Sequence, residues 1–263
     1  MKHSALFTAI TIIFFAISYC SKHKAHWSYD GGEGPAHWGD LDSKYLACKT
    51  GSIQSPVNIT EDSVEIEDLT KNHPDSLASP VFHYKKLHFS EIDNGHTIQA
   101  NVEEGDSLTL EGKNYVLKQV HFHSPSENHL NGRSYPLEGH LVHQADDGEL
   151  AVVAVFYNAS PGAEKNSELE KIWNHIPAEK EKEIPVENEF IDFTAFFPEN
   201  KTMYRFDGSL TTPPCSEGVK WNVFASSVLL PESQIIAFQK HYDHNARPVQ
   251  ELNHRKIVKT ASK

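Results

Sequence analysis

The sequence predicts a β-dominated α+β fold: a single domain built on a large, mostly antiparallel central sheet with peripheral helices. Three observations carry that prediction. Strand-like stretches outnumber helical ones, short turn signals separate them, and Ala151 to Phe156 is apolar at nearly every position. A run of that kind suits a strand buried on both faces. At 263 residues the chain is long for one domain, yet within the range of large β proteins.

The elements follow in chain order. Lys2 and His3 precede an apolar run from Ala5 to Ile17, too short to span a bilayer comfortably and shaped like a signal-peptide core. Small residues at Ala16 and Ser18 place cleavage after Ser18, so residues 1–18 are read as a signal peptide and 19–25 as a flexible segment. A rival boundary lies before Cys20, which would then be lipidated and tether the protein to a membrane, although Tyr19 is bulky for that signal. The expected destination is secretion, to the periplasm.

The catalytic domain is expected over 26–258, with a tail at 259–263. Strands are expected at Lys86 to Phe89, His96 to Val102, Ser107 to Leu110, Tyr115 to His123, His140 to Gln144 and Leu150 to Phe156. Turns at Asp93-Asn94-Gly95, Glu104-Gly105, Glu111-Gly112, Asn131-Gly132 and Asp147-Gly148 separate them. Ser167 is expected to cap a helix whose Leu169, Ile172, Trp173 and Ile176 share one face. Pro231 opens another, with Ile235, Ile236 and Phe238 facing inward. The charge-rich stretch from Ala178 to Glu189 reads as a solvated loop.

Net charge is -12 with His neutral, which excludes nucleic acid as a partner because a polyanion would be repelled. With Cys20 in the removed or labile segment, Cys48 and Cys215 are an even pair in an oxidising compartment. A link between them would stabilise by roughly 5 kcal/mol in the chain-entropy model and about 2–4 kcal/mol in practice. Two buried free thiols are the alternative.

The chemistry concentrates in His121-Phe122-His123. On a strand, Gln119, His121 and His123 point one way, and Val120 and Phe122 the other. The two imidazoles then stand about 7 Å apart on one face. A second strand carries Glu138, His140 and Val142 on a single face, and His140 completes a set of three. Three neutral imidazoles with one open position is the zinc geometry that activates water. Gln119 and Glu138, each two residues before a ligand, are placed to hold the ligands' other ring nitrogens.

Eight motifs then make a pattern that resembles the alpha-class carbonic anhydrases of the secreted, bacterial type, with the likeness running from Trp27 to Arg255. They are Gly34-Pro35-Ala36-His37-Trp38, Gln54-Ser55-Pro56-Val57-Asn58-Ile59, Asn94-Gly95-His96, Gln119-Val120-His121-Phe122-His123, Ser126-Glu127-Asn128-His129, Glu138-Gly139-His140-Leu141-Val142-His143, Gly208-Ser209-Leu210-Thr211-Thr212-Pro213-Pro214 and Arg247-Pro248-Val249-Gln250.

The resemblance implies reversible hydration of carbon dioxide to bicarbonate by zinc-bound hydroxide, with one Zn²⁺ per chain. It implies that Thr211 orients the hydroxide and passes a hydrogen bond to Glu127, and that Thr212 positions bicarbonate. It puts an apolar wall at Val142, Val152, Leu210, Val219 and Trp221, and a proton shuttle at His96 with Tyr29, Asn94 and Gln99 ordering water. It also implies a Cys48–Cys215 disulfide, and by analogy with bacterial members a homodimer.

Three departures stand out. Asp93 replaces a usual Asn beside the shuttle turn and brings negative charge toward it. Gly139 stands where a larger apolar residue is common, which would loosen packing, and Glu251 replaces a surface Pro. A cupin-type oxygenase is disfavoured because Tyr115 stands where its first motif needs Gly and the spacing around Pro136 and Gly139 fails. A non-catalytic periplasmic zinc-binding or adhesive protein would need none of Thr211, Glu127 and His96.

Overall fold

The computed structural model describes residues 25–66 and 80–260; the signal segment and Cys20 lie outside them. Seven strands form the spine of a thirteen-stranded sheet: β1 (Phe89–Asp93), β2 (Ile98–Val102), β3 (Lys113–His123), β4 (Leu137–Gln144), β5 (Leu150–Ala159), β6 (Met203–Ser209) and β7 (Glu217–Phe224). Their spatial order is β1-β2-β3-β4-β5-β7-β6. Every neighbouring pair in the spine is antiparallel except β5 with β7. Ile184–Pro185 edges β1, and Ile257–Lys259 followed by Val64–Ile66 edges β6. The strand-dominated single domain with a mostly antiparallel sheet is borne out.

Alternation along the strands divides the sheet into two faces. One face is closed. Ile98, Ala100, Val120, Phe122, Leu141 and Val153 are all fully buried there, in the larger of the apolar clusters. Helix α1 (Ser167–Asn174) contributes Leu169, Ile172 and Trp173 to the same cluster, and α2 (Glu232–Gln239) contributes Ile235 and Phe238. Phe122 sits under both helices, its ring centroid 4.8 Å from Trp173 and 6.0 Å from Phe238. The other face carries Val152, Ala154, Phe156, Trp221 and Val223 in a smaller cluster, and beside them the histidines.

Several expectations shift. The strand expected at Lys86 to Phe89 lies at Phe89–Asp93, because Leu87 is already engaged through paired backbone hydrogen bonds with Ile191. The cap of α1 is Asn166, whose side chain accepts from the Glu168 and Leu169 N–H groups, and not Ser167; Ile176 lies past the helix end. On α2, Ile236 is 41% exposed and Gln234 takes the inward position, bonded to Asn166 and Glu170. Within the charge-rich stretch, Ile184–Pro185 pairs with Glu91 and Ser90 and Val186 is buried. Lys259 pairs with Tyr204 and Thr260 is buried, so the ordered domain runs past residue 258. Sequence patterning overlooked β6 and β7, although Tyr204-Arg205-Phe206-Asp207 and Val219-Lys220-Trp221-Asn222-Val223 alternate apolar and polar residues.

Candidate metal centre

The register of the sheet assembles the site. His121 on β3 faces His140 on β4, and one row along the same face Gln119 faces Val142. The ligand-competent atoms of His121, His123 and His140 lie within 4.8 Å of one another; among the described residues no other trio of potential ligands gathers this way. Burial, followed by the repulsion of neighbouring imidazoles, holds His121 and His140 well below the ordinary imidazole range. Burial lowers His123 too. Neutral rings with free lone pairs are what a metal requires.

Two of the rings have a hydrogen-bonded acceptor at the far nitrogen, and His140 has a carboxylate oxygen close by without a formed hydrogen bond. His121 Nδ1 is 2.8 Å from Gln119 Oε1, and His140 Nε2 is 3.0 Å from Glu138 Oε1. His123 Nδ1 donates to the Asn245 backbone carbonyl at 2.7 Å. A carbonyl can only accept, so the His123 proton is fixed on Nδ1 and Nε2 offers its lone pair. That Nε2 is fully buried and has no hydrogen-bond partner. An orphaned imidazole nitrogen, aimed into a trio of neutral rings with supported tautomers, fits a borderline divalent cation such as zinc.

Two buried carboxylates adjoin the trio. Glu138 accepts from the Glu127 and Asn128 N–H groups at 2.7 and 2.9 Å and from Asn128 Nδ2 at 2.8 Å. Glu127 Oε2 is 3.4 Å from His123 Nε2, and its Oε1 accepts from the Arg247 N–H at 2.9 Å. Burial pushes Glu127 up to about 8, while the Arg247 N–H and the Thr211 hydroxyl favour its ionised form. A bound dication would lower it further.

Thr211 is held by a pinned loop. Ser209 and Ser55 exchange hydrogen bonds at 2.9 and 3.2 Å, the Cys215 N–H bonds the Thr212 carbonyl at 2.8 Å, and Cys215 is disulfide-bonded to Cys48 with sulfurs 2.10 Å apart. Gly208 permits this close approach, since a Cβ there would stand 2.1 Å from Ser55 Oγ. The Arg247 guanidinium completes the pin by bonding Gln54, Ser55 and the Cys48 carbonyl.

The expected wall also assembles. Val142, Val152 and Trp221 occupy consecutive strands in one register row, Val219 and Leu210 belong to the same cluster, and the Trp221 ring lies 5.0 Å from His140. Asn94 Nδ2 donates to Gln99 Oε1 at 3.1 Å, and Gln99 pairs with His121 across the sheet. His96 stacks on Trp27 at 3.6 Å with the planes 8° apart. Tyr29 packs edge-on to Trp27 and Trp38; burial, then the charge of Glu127, keeps its hydroxyl protonated. Asp93 lies against the turn that carries His96, its carboxylate accepting from Tyr242 Oη and from the Gly95 N–H within that turn. Gly139 does not loosen packing. A Cβ there would lie 3.1 Å from Phe122 and 3.2 Å from Tyr157, whose rings fill the space.

Asn245, Arg247 and Asn128 were given no role from sequence. Their contributions to the centre are largely main-chain contacts, which residue type does not announce. For Asn245 the only pointer is its position two residues before Arg247-Pro248-Val249-Gln250.

Comparison with known proteins agrees with this geometry. A family model described as eukaryotic-type carbonic anhydrase matches residues 33–261. A carbonic anhydrase of Klebsiella pneumoniae is 42% identical over 239 residues, 89% of this chain and 91% of that protein. The alpha-carbonic anhydrase of Thermovibrio ammonificans, solved with the inhibitor sulfanilamide, superposes with a TM-score of 0.81 at 40% identity, covering 90% of this chain and 100% of that one. Dioscorin, solved with ascorbate, shares the fold at TM-score 0.79 and 27% identity, over 90% of this chain and 99% of that one. The family match spans almost all of the described domain, and the chain belongs to the eukaryotic-type, or alpha-class, carbonic anhydrases.

Proposed function

We propose that this enzyme interconverts carbon dioxide and water with bicarbonate and a proton, using one zinc held by His121, His123 and His140. The observation that carries the reading is the orphaned His123 Nε2 among three neutral imidazoles, each with an oxygen of Gln119, Asn245 or Glu138 within 3.0 Å of its far nitrogen. Zinc supplies acidification of a coordinated water, an effect for which carbonic anhydrases are the standard illustration.

The protein's own residues do the rest. With a nearby dication lowering its raised pKa, Glu127 is ionised and accepts a hydrogen bond from the Thr211 hydroxyl, so Thr211 oxygen can accept only from a nucleophile that still carries hydrogen. That constraint aims the remaining lone pair of the attacking oxygen at the carbon. Val142, Val152, Leu210, Val219 and Trp221 give an uncharged, weakly hydrated substrate a surface that water does not contest. Thr212 positions the bicarbonate formed. His96 carries the released proton outward, with Tyr29, Asn94 and Gln99 ordering the intervening water.

Stopped-flow hydration by the mature chain, with zinc content measured alongside, tests the reading. Rapid hydration with one zinc per chain, abolished by chelation, by His140→Ala and by sulfanilamide, is expected. A folded zinc protein without hydration would sink it.

The proposal extends to export. The disulfide supports an oxidising compartment such as the periplasm. Fractionation and the mass of the mature N-terminus check this, a lipid on Cys20 appearing as added mass and membrane association. Light scattering checks the homodimer.

A further inference from the structure

Asn245 is 1% exposed and every polar group it owns is engaged. Its main chain serves the metal ligands: the carbonyl accepts from His123 Nδ1 at 2.7 Å, and the N–H donates to the Ser124 carbonyl at 3.1 Å. Its side chain faces a different task. Oδ1 accepts from the Ser124 N–H at 2.8 Å, while the two hydrogens of Nδ2 go to the His96 carbonyl and the Phe122 carbonyl, each at 3.0 Å. One amide therefore bridges the turn that carries His96 and the strand that carries His121 and His123.

We propose that the Asn245 side chain is a positioning residue for proton transfer, fixing the main chain of His96 against the ligand strand. The inference rests on the carbon dioxide reading above. Proton relay through ordered water depends steeply on donor–acceptor placement, because each link must be within hydrogen-bond reach. His96 has its own supports in Trp27 stacking and in the Asn94 side chain, which accepts from the His96 and Thr97 N–H groups. The Asn94 bonds shape the turn internally, and Trp27 braces the His96 ring rather than its main chain. Asn245, together with Thr97 Oγ1 on the Phe122 carbonyl, docks the turn on the metal strand.

The chemistry of the amide is hard to replace. Asp keeps the Oδ1 acceptor for Ser124 but sets a second oxygen against two carbonyls, and Ala removes the bridge altogether. Neither change alters the main-chain carbonyl on His123. The two halves of the residue can therefore be separated experimentally.

Attack on carbon dioxide is reported by kcat/KM, whereas export of the proton involves no carbon dioxide and is reported by kcat alone. The zinc-loaded Asn245→Ala and Asn245→Asp variants are measured by stopped flow in a bulky buffer, then with added imidazole. Expected are retained zinc, kcat lowered about tenfold, kcat/KM lowered about twofold at most, and recovery of kcat with imidazole. In a His96→Ala background, Asn245→Ala should lower kcat no further. The idea is overturned if kcat and kcat/KM fall together with loss of zinc, if kcat is unchanged, or if the double variant is additive. Asn245→Asp keeps the test alive should the Ala variant not fold. An inactive wild-type enzyme would instead overturn the underlying function, which separates the two failures.

Discussion

On β3, Val120 and Phe122 pass into an apolar core, while His121 and His123, one step along the same strand, meet His140 on the opposite face. Buried carboxylates make the contrast sharper. Glu138 and Glu127 on the metal face are surrounded by N–H donors and imidazoles. Glu91 projects from β1 into the closed side, is fully buried, and neither carboxylate oxygen has a hydrogen-bond partner. The first pair sits among donors that answer its charge. Glu91 is a polar group in a core, and burial pushes it up to about 9, so it sits there protonated at neutral pH.

The largest effect expected from breaking this contrast is at Glu91. The folded carboxyl keeps its proton up to about 9, whereas the unfolded one loses it near 4.5. Between those values the folded chain binds more protons, so its stability falls as pH rises, by about 1.4 kcal/mol per pH unit. Glu91→Leu should abolish that slope and exceed the wild type by on the order of 4 kcal/mol at pH 8. Denaturant titrations at pH 6 and pH 8 check it; equal gains at both would contradict the sign.

On the metal face, Glu138→Gln replaces an acceptor of three donors, 3.0 Å from His140 Nε2, with a group that also donates. Zinc affinity should drop about 10- to 100-fold in competition with a chelator, with little change in wall packing. Gly139→Ala probes the closed side directly behind His140. Crowding of Phe122 and Tyr157 should cost about 1–3 kcal/mol while zinc stoichiometry stays at one, and a stabilised variant would show that those rings give way. Smallest is Asn166→Ala, which removes the α1 cap and should lower stability by about 1 kcal/mol, where Ser167→Ala does little. Thermal unfolding of the two variants side by side separates the assignments.

The metal face was the more legible one. Period-two spacing puts His121 and His123 together, and the second-strand motif brings in His140 without knowledge of register. Gln119 and Glu138 followed from the same alternation. The closed face was harder. Glu91 breaks the apolar rule, and the neighbouring Ile92 invites the wrong face, so β1 was misplaced by its own composition. In β6 and β7, buried Arg205 and Asn222 satisfy each other across strands, a pairing invisible to a linear pattern. Asn245 holds His123 through a carbonyl that every residue possesses, and only three-dimensional placement selects it.

The centre also depends on the order in which the chain is made. All three histidines are complete by residue 140, yet Asn245, which fixes the His123 tautomer, and Arg247, whose N–H props Glu127, come more than a hundred positions later. Arg247 reaches back across 199 positions to the Cys48 carbonyl, and Ile257–Lys259 then slots between β6 and Val64–Ile66. Contacts of such long range cost loop-closure entropy before they repay it. A chain that stops short of residue 245 therefore carries all three histidines yet lacks both the carbonyl on His123 Nδ1 and the N–H on Glu127.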